Sequence, residues 1–203
     1  MGEGSLKRLA VLTALLLIVA AAPAAHAGQT VNIASFSFSP ASLTAGLGDS
    51  ITFNNTAAIG HTSTSDDGFW NTGTIGGSGG GGYPIRSSVD VDFSASGRFA
   101  YHCAIHPSMK AVIIIPITVS PAGPVAAGTE LTIAFASDQV AGRTYEVQRR
   151  RGNKHWVTLA SGTSALFVTY TPGKAGTFRF RAAAIIGGQM SGWSPKFLVK
   201  VTA

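Results

Sequence analysis

Residues 98–109 read RFAYHCAIHPSM, and this stretch decides how the first half of the chain folds. Up to the cysteine, side chains alternate with the period of two that is typical of a β-strand with one buried face. The face with the aromatic residues carries Phe99, Tyr101 and Cys103. His102 lies on the opposite face. Because Pro107 lacks a backbone N–H and interrupts strand pairing, a loop is predicted over 104–109.

This loop brings three metal-binding side chains together. It carries a thiolate, an imidazole and a thioether, in the order Cys103, His106 and Met109. A cysteine and two histidines in a plane, with a weak axial methionine, form the ligand set of a blue-copper site, which suits both oxidation states of copper. The sequence therefore predicts one copper ion as cofactor. The alternative is a buried, inert thiol, as free cysteine often is.

The second imidazole must come from elsewhere in the chain. After residue 27 the histidines are His61, His102, His106 and His155. Strand alternation turns His102 away from the cysteine, and His155 lies in a basic run far along the chain. The remaining candidate follows a loop after the predicted strand 50–53. The predicted ligand set is therefore His61, Cys103, His106 and Met109, and no catalytic residue is predicted.

The first 27 residues have the pattern of a signal peptide. Lys7 and Arg8 precede an apolar run over 9–22, and Ala-His-Ala at 25–27 matches a cleavage site. We expect cleavage after Ala27, no integral membrane segment after it, and a secreted or periplasmic protein. A single cysteine in an exported chain forms no internal disulfide, which favours metal binding.

The remaining chain divides by charge. Residues 28–120 hold three basic and five acidic residues, a net charge of −2, whereas 121–203 hold ten basic and three acidic residues, a net charge of +7. Such asymmetry indicates two domains, 28–120 and 121–203, joined at Pro-Ala-Gly-Pro over 121–124. Both contain short alternating strands between turn residues, which predicts an all-β protein.

The first domain resembles the cupredoxins, with a loop spacing closer to amicyanin and pseudoazurin than to plastocyanin. The resemblance rests on Tyr-His-Cys-x-x-His-Pro-x-Met over 101–109, the upstream His61 and the strand 89–93 between them. It implies a Greek-key β-sandwich, one type 1 copper and outer-sphere electron transfer. It also implies that the backbone N–H of Thr62 contacts the cysteine sulfur. His106 is then the exposed ligand, with an apolar rim of Ala57, Ala58, Ile59, Ile105 and Pro107.

The second domain resembles the fibronectin type III family, an immunoglobulin-like β-sandwich. The resemblance rests on Gly-Gln-Met-Ser-Gly-Trp-Ser-Pro over 188–195, with Tyr145 and Trp156 upstream. One charge cluster stands out, Arg-Arg-Arg-Gly-Asn-Lys over 149–154. It is typical of a solvated hairpin turn, or of a surface that binds an acidic polymer.

These observations predict an exported carrier of single electrons with a transient redox protein partner. Four histidines are too few for the additional copper centres of a multicopper oxidase or nitrite reductase, so the protein is expected not to be an enzyme. Export disfavours nucleic acid as a partner, and a monomer is expected. Two alternatives stay open, namely an extracytoplasmic copper carrier or scavenger, and a cell-surface interaction protein with a copper-stabilised domain.

Overall fold

A computed structural model describes residues 28–77 and 86–203. All regular elements in these two ranges are β-strands, so the predicted all-β class is confirmed. The expected signal peptide over 1–27 lies outside the described residues, as does most of the glycine-rich segment over 76–82. Within the described ranges, no helix is long and apolar enough to cross a membrane.

Eight strands form two four-stranded sheets in the first half of the chain. One sheet contains β1 (Gln29–Ala34), β2 (Ser37–Ser39), β4 (Ser50–Asn55) and β6 (Ser88–Asp92), in the order β2-β1-β4-β6. The other contains β3 (Ser42–Thr44), β5 (Thr64–Ser65), β7 (Gly97–His102) and β8 (Lys110–Ile115), in the order β3-β8-β7-β5. Strands β1 and β4 are parallel, as are β3 and β8, while the other pairs are antiparallel. Neighbours in a sheet are mostly not neighbours along the chain, as the predicted Greek-key sandwich requires.

The core between these sheets comes from the alternation seen in the sequence. In β7, Phe99 and Tyr101 are buried while Arg98 and Ala100 are exposed. The Tyr101 ring packs on Phe53 of the opposite sheet, with ring centroids 5.5 Å apart. Because the alternation continues past the end of β7, the next residue, Cys103, is also fully buried.

Nine further strands form a second sandwich. Its smaller sheet contains β9 (Thr118–Ser120), β11 (Leu131–Ala134) and β14 (Phe167–Tyr170), in the order β14-β11-β9. Its larger sheet contains β10 (Val125–Ala126), β12 (Arg143–Arg151), β13 (Val157–Thr163), β15 (Gly176–Ile186), β16 (Gln189–Met190) and β17 (Phe197–Thr202). The order is β10-β17-β15-β12-β13, with β16 paired to β15. Ring contacts join the two sheets, including Phe135 with Tyr145 at 5.0 Å and Tyr170 with Phe180 at 5.9 Å.

The chain changes from one sandwich to the other between β8 and β9. Strand β9 pairs with β11, with Val119 opposite Ile133. The change of sheets thus comes shortly before the boundary that composition places after Ser120. The Pro-Ala-Gly-Pro run lies between β9 and β10, and the domain bounds 28–120 and 121–203 stay a prediction.

The two sandwiches are hydrogen-bonded to each other along β7. The backbone N–H of Arg98 donates to the carbonyl of Gly192, and that of Gly192 donates to the carbonyl of Arg98, both at 2.8 Å. A Cβ at position 192 would lie 3.0 Å from the Cβ and the carbonyl oxygen of Arg98, so the close approach favours glycine. Nearby, the N–H of Ser96 donates to the carbonyl of Phe135 at 2.8 Å. We call the contact formed by Arg98 with Gly192 and by Ser96 with Phe135 the seam.

Candidate metal centre

The loop after β7 folds back on itself and presents three side chains. The N–H of Met109 donates to the carbonyl of His106 at 2.9 Å, and the N–H of Cys103 donates to the carbonyl of Met109 at 3.1 Å. These bonds close the turn that Pro107 permits, because proline requires no donor partner there. Cys103 and Met109 are buried, while His106 is only partly buried.

His61 reaches the same place from a different part of the chain. It lies in the loop after β4 and exchanges backbone hydrogen bonds with Ile75, at 3.1 and 2.7 Å. Its side chain is fully buried. The loop is shaped by Asn55, whose Nδ2 donates to the carbonyls of Ile59 and Ile75 at 2.8 and 2.7 Å. This asparagine was not singled out from the sequence, since nothing local marks its role.

Three donor atoms converge in this structure. The Sγ of Cys103 is 3.7 Å from the Nδ1 of His61 and 3.7 Å from the Nδ1 of His106, and the two Nδ1 atoms are 3.2 Å apart. Donors that share one tetrahedral ion at ordinary metal–N and metal–S distances lie about 3.3–3.6 Å apart. The spacing therefore suits one metal ion between the three residues.

The chemistry of the donors selects among metals. Thiolate and imidazole donors, with the buried thioether of Met109 next to them, form the set that binds copper in type 1 sites. Burial and the neighbouring His106 lower the pKa of His61, which favours its neutral imidazole. Neutral imidazole is the form that binds metal. The residues present therefore fit a copper ion.

A hydrogen-bonded shell holds the cysteine sulfur in place. The backbone N–H of Thr62 contacts Sγ of Cys103 at 3.3 Å, as the cupredoxin resemblance implies. The Oγ1 of Thr62 accepts the N–H of Ala104 at 2.8 Å, which ties the His61 loop to the cysteine loop. An N–H directed at a thiolate withdraws electron density from sulfur and stabilises the reduced metal.

His102 is outside the group. Its Nδ1 lies 2.6 Å from Oδ1 of Asp66 on the outer face of β7, where both side chains are partly exposed. The strand-phase prediction is confirmed for this residue. His155 is exposed on the second sandwich.

Phe36 is a second feature of the site that sequence reasoning missed. It occupies the two-residue turn between β1 and β2 with a φ of 66°, a conformation that aromatic residues seldom adopt. Its ring is 58% exposed, and its centroid lies 4.9 Å from that of the His106 ring, edge to face. Turn residues with positive φ are normally Gly or Asn, so Ala-Ser-Phe-Ser over 34–37 carries no local signal for this turn.

The partly buried His106 has apolar neighbours at the surface. Ile59 and Ile105 from the predicted rim are exposed, as is Phe36. Phe36 contacts the His106 ring, and Ile105 precedes His106 in the chain. We call Phe36, Ile59 and Ile105 the apolar rim.

Similarity to known proteins is limited to solved structures. No family model matches the chain, and no curated protein matches it. A purple cupredoxin from Nitrosopumilus maritimus is 17% identical, with a TM-score of 0.37 over 43% of this chain and 98% of the other. A reduced copper(I) form of an amicyanin variant is 21% identical, with a TM-score of 0.36 over 46% and 86%.

A third similar structure is a much larger protein. It is a copper-containing nitrite reductase from Thermus scotoductus, 22% identical, with a TM-score of 0.37 over 43% of this chain and 22% of the other. The metal centre of the present chain rests on its own donor atoms.

Proposed function

We propose that the protein is an electron carrier that holds one copper ion through His61, Cys103, His106 and Met109 and exchanges single electrons by outer-sphere transfer. One observation carries the proposal. Two imidazole nitrogens and a cysteine sulfur, all within 4.8 Å of one another, lie beside a buried methionine. When bound, copper supplies the Cu(I)/Cu(II) couple.

The surrounding residues suit this task because they allow little movement. Cys103 and His61 are fully buried, and hydrogen bonds from Thr62 and Met109 fix the two loops that carry them. A rigid donor set that serves both oxidation states needs little rearrangement when an electron moves. Buried ligands also exclude water, which favours retention of the metal over the rapid release that a copper carrier needs.

The apolar rim is the surface at which a redox partner would dock. His106 is the ligand nearest the surface, and Phe36, Ile59 and Ile105 are exposed near it. Transient redox complexes use small contact areas, for which three apolar side chains suffice. We infer that a redox protein docks here.

Repeated reduction and reoxidation of the copper-loaded protein tests this function. With ascorbate and then ferricyanide, we expect the visible absorption to disappear and return at one electron per copper. The copper content after desalting should stay the same through several cycles. Loss of copper to the chelator bathocuproine during the first reduction would instead identify a copper carrier or scavenger.

Phe36→Asn should slow electron exchange between two molecules of the protein about tenfold, because it removes apolar contact area worth roughly 1.4 kcal/mol. Asparagine tolerates positive φ, so the turn should persist. Line broadening in NMR spectra of mixed oxidation states measures the exchange rate. The matched control is Leu198→Asn, which removes a similarly exposed apolar side chain from the second sandwich. Equal slowing in both variants would contradict docking at the rim.

The proposal also covers export, oligomeric state, the lack of enzymatic activity and the identity of the second domain. We infer that the protein is exported, monomeric and not an enzyme. We also infer that 121–203 is a fibronectin type III-like domain, which the three-stranded and larger sheets of the second sandwich support. Its excess of basic residues supports contact with an acidic polymer outside the cell. In a cell-surface role, the second domain would attach the protein to the polymer and the first domain would transfer electrons.

A further inference from the structure

A row of stacked cations and indole rings crosses the larger sheet of the second sandwich. The guanidinium of Arg181 lies between two tryptophans, 4.1 Å from the ring centroid of Trp156 and 4.0 Å from that of Trp193. Arg150 stacks on Trp156 at 4.8 Å. Both Nε and Nη2 of Arg181 donate to Oε1 of Gln148, at 3.1 and 2.7 Å. Arg181 is therefore held in one position.

This row ends in a cleft at the seam. The cleft has a volume of about 390 Å³, within the range of small-ligand sites. Its lining combines three cations with apolar walls: Arg98, Arg181, Lys196, Ile114, Trp193 and Pro195. Arg98 and Ile114 come from the copper-binding sandwich and the others from the second one, so the cleft exists only where the two meet.

No carboxylate is among the described residues that line the cleft. Within the described ranges, no carboxylate forms an ion pair with Arg98, Arg181 or Lys196. Burial and the neighbouring Arg150 lower the pKa of Arg181, and the smaller opposing effect comes from Glu146. That carboxylate already accepts a hydrogen bond from Nε2 of Gln148 at 2.7 Å. The cleft thus retains a positive potential that attracts anions.

The basic cluster over 149–154 is a second candidate for the polymer contact, and most of its charge does not lie in a solvated turn in the structure. Arg149–Arg151 are the last residues of β12 and are partly buried, not the solvated turn that the sequence indicates. Arg149 stacks on Tyr170 at 4.9 Å, and Arg151 donates to the carbonyl of Ala175. Lys154 remains exposed beyond them. The segment therefore uses much of its charge in internal contacts.

We propose that the cleft binds the anionic groups of an acidic polysaccharide, whose chain continues along the Arg181 row. The Arg98 guanidinium can pair with carboxylate or sulfate through two parallel hydrogen bonds, whereas Arg181 has Nε and Nη2 on Gln148 and can offer Nη1. The walls formed by Trp193, Ile114 and Pro195 suit the apolar faces of sugar rings. A row of cations matches a repeated charge better than a single small ion. This inference deepens the proposed polymer contact and is independent of copper.

Binding to three defined polymers tests the proposal. Polygalacturonate carries carboxylates, dextran sulfate carries sulfate esters, and dextran is neutral. Titration of the full mature protein should show binding to one or both polyanions and none to dextran. The polyanion that binds more tightly shows whether the cleft prefers carboxylate or sulfate. Inorganic sulfate at the same concentration of charge should bind at least tenfold more weakly than dextran sulfate.

Two charge-matched double variants locate the contact. Arg98→Ala with Lys196→Ala changes the cleft, and Lys154→Ala with Lys174→Ala removes the same charge from a separate basic surface. We expect the first to weaken polyanion binding about tenfold and the second no more than about threefold, with circular dichroism unchanged in both. If both double variants weaken polyanion binding equally, the cleft is not the binding site, although the protein still binds the polymer. Absence of polyanion binding by the unmodified protein overturns both.

Discussion

His61→Ala should abolish the intense visible absorption of the copper(II)-loaded protein, whereas His102→Ala should leave it intact. The absorption depends on a thiolate bound to copper in a plane completed by two imidazoles. His61 has its Nδ1 3.7 Å from the cysteine sulfur, while His102 is paired with Asp66 on the opposite side of β7. The two variants remove the same side chain, so they differ only in position.

Absorption spectra and copper-to-protein ratios of both variants measure this difference. The expected loss for His61→Ala is essentially complete, because the site then lacks one of its two imidazoles. His102→Ala should change the extinction by less than about a tenth. A blue His61→Ala protein, or a colourless His102→Ala protein, would show that strand phase does not decide which histidine binds.

Copper should stabilise the fold strongly, and Cys103→Ser should remove that stabilisation. A metal that binds only the folded chain raises the free energy of unfolding by about 4 kcal/mol at a thousandfold excess over its dissociation constant. Cys103 and His61 belong to loops 42 residues apart, so the ion links distant segments of the first sandwich. Serine supplies no thiolate, and its variant should gain less than about 1 kcal/mol from copper.

Urea denaturation with and without copper gives both values. The comparison is made within each protein, because a buried hydroxyl in place of the thiol costs about 1–3 kcal/mol by itself. His102→Ala is the control and should keep the full gain. If copper stabilises the Cys103→Ser protein as much as the unmodified one, the ion binds elsewhere.

Local patterns predicted much of the site because its geometry follows from one strand. Alternation in 98–103 places Cys103 in the core and His102 outside it, and the proline-containing loop brings His106 and Met109 back to the sulfur. The position of His61 followed from elimination, since a copper site needs two imidazoles. The structure brings His61, Cys103 and His106 together, while their role as copper ligands stays a prediction.

What the sequence could not predict depends on contacts between distant segments. Phe36 reaches His106 from a turn 70 residues earlier, and its unusual φ has no local signature. Asn55 shapes the His61 loop through two carbonyls that only the fold brings within reach. The arginines at 149–151 looked like a solvated cluster because their partners, Tyr170 and the carbonyl of Ala175, lie on other strands.

Strand β7 joins these distant parts physically. Its second residue, Arg98, is hydrogen-bonded across the seam, and the residue that follows its end is Cys103. A polymer attached to the second sandwich would pull on β7 at Arg98, and the load would run along the strand. The hydrogen bonds between β7 and β8 lie across that direction and would resist it in shear. In mechanical terms, the proposed polymer contact would load the strand that leads directly into Cys103, so this cysteine lies at the end of the load path.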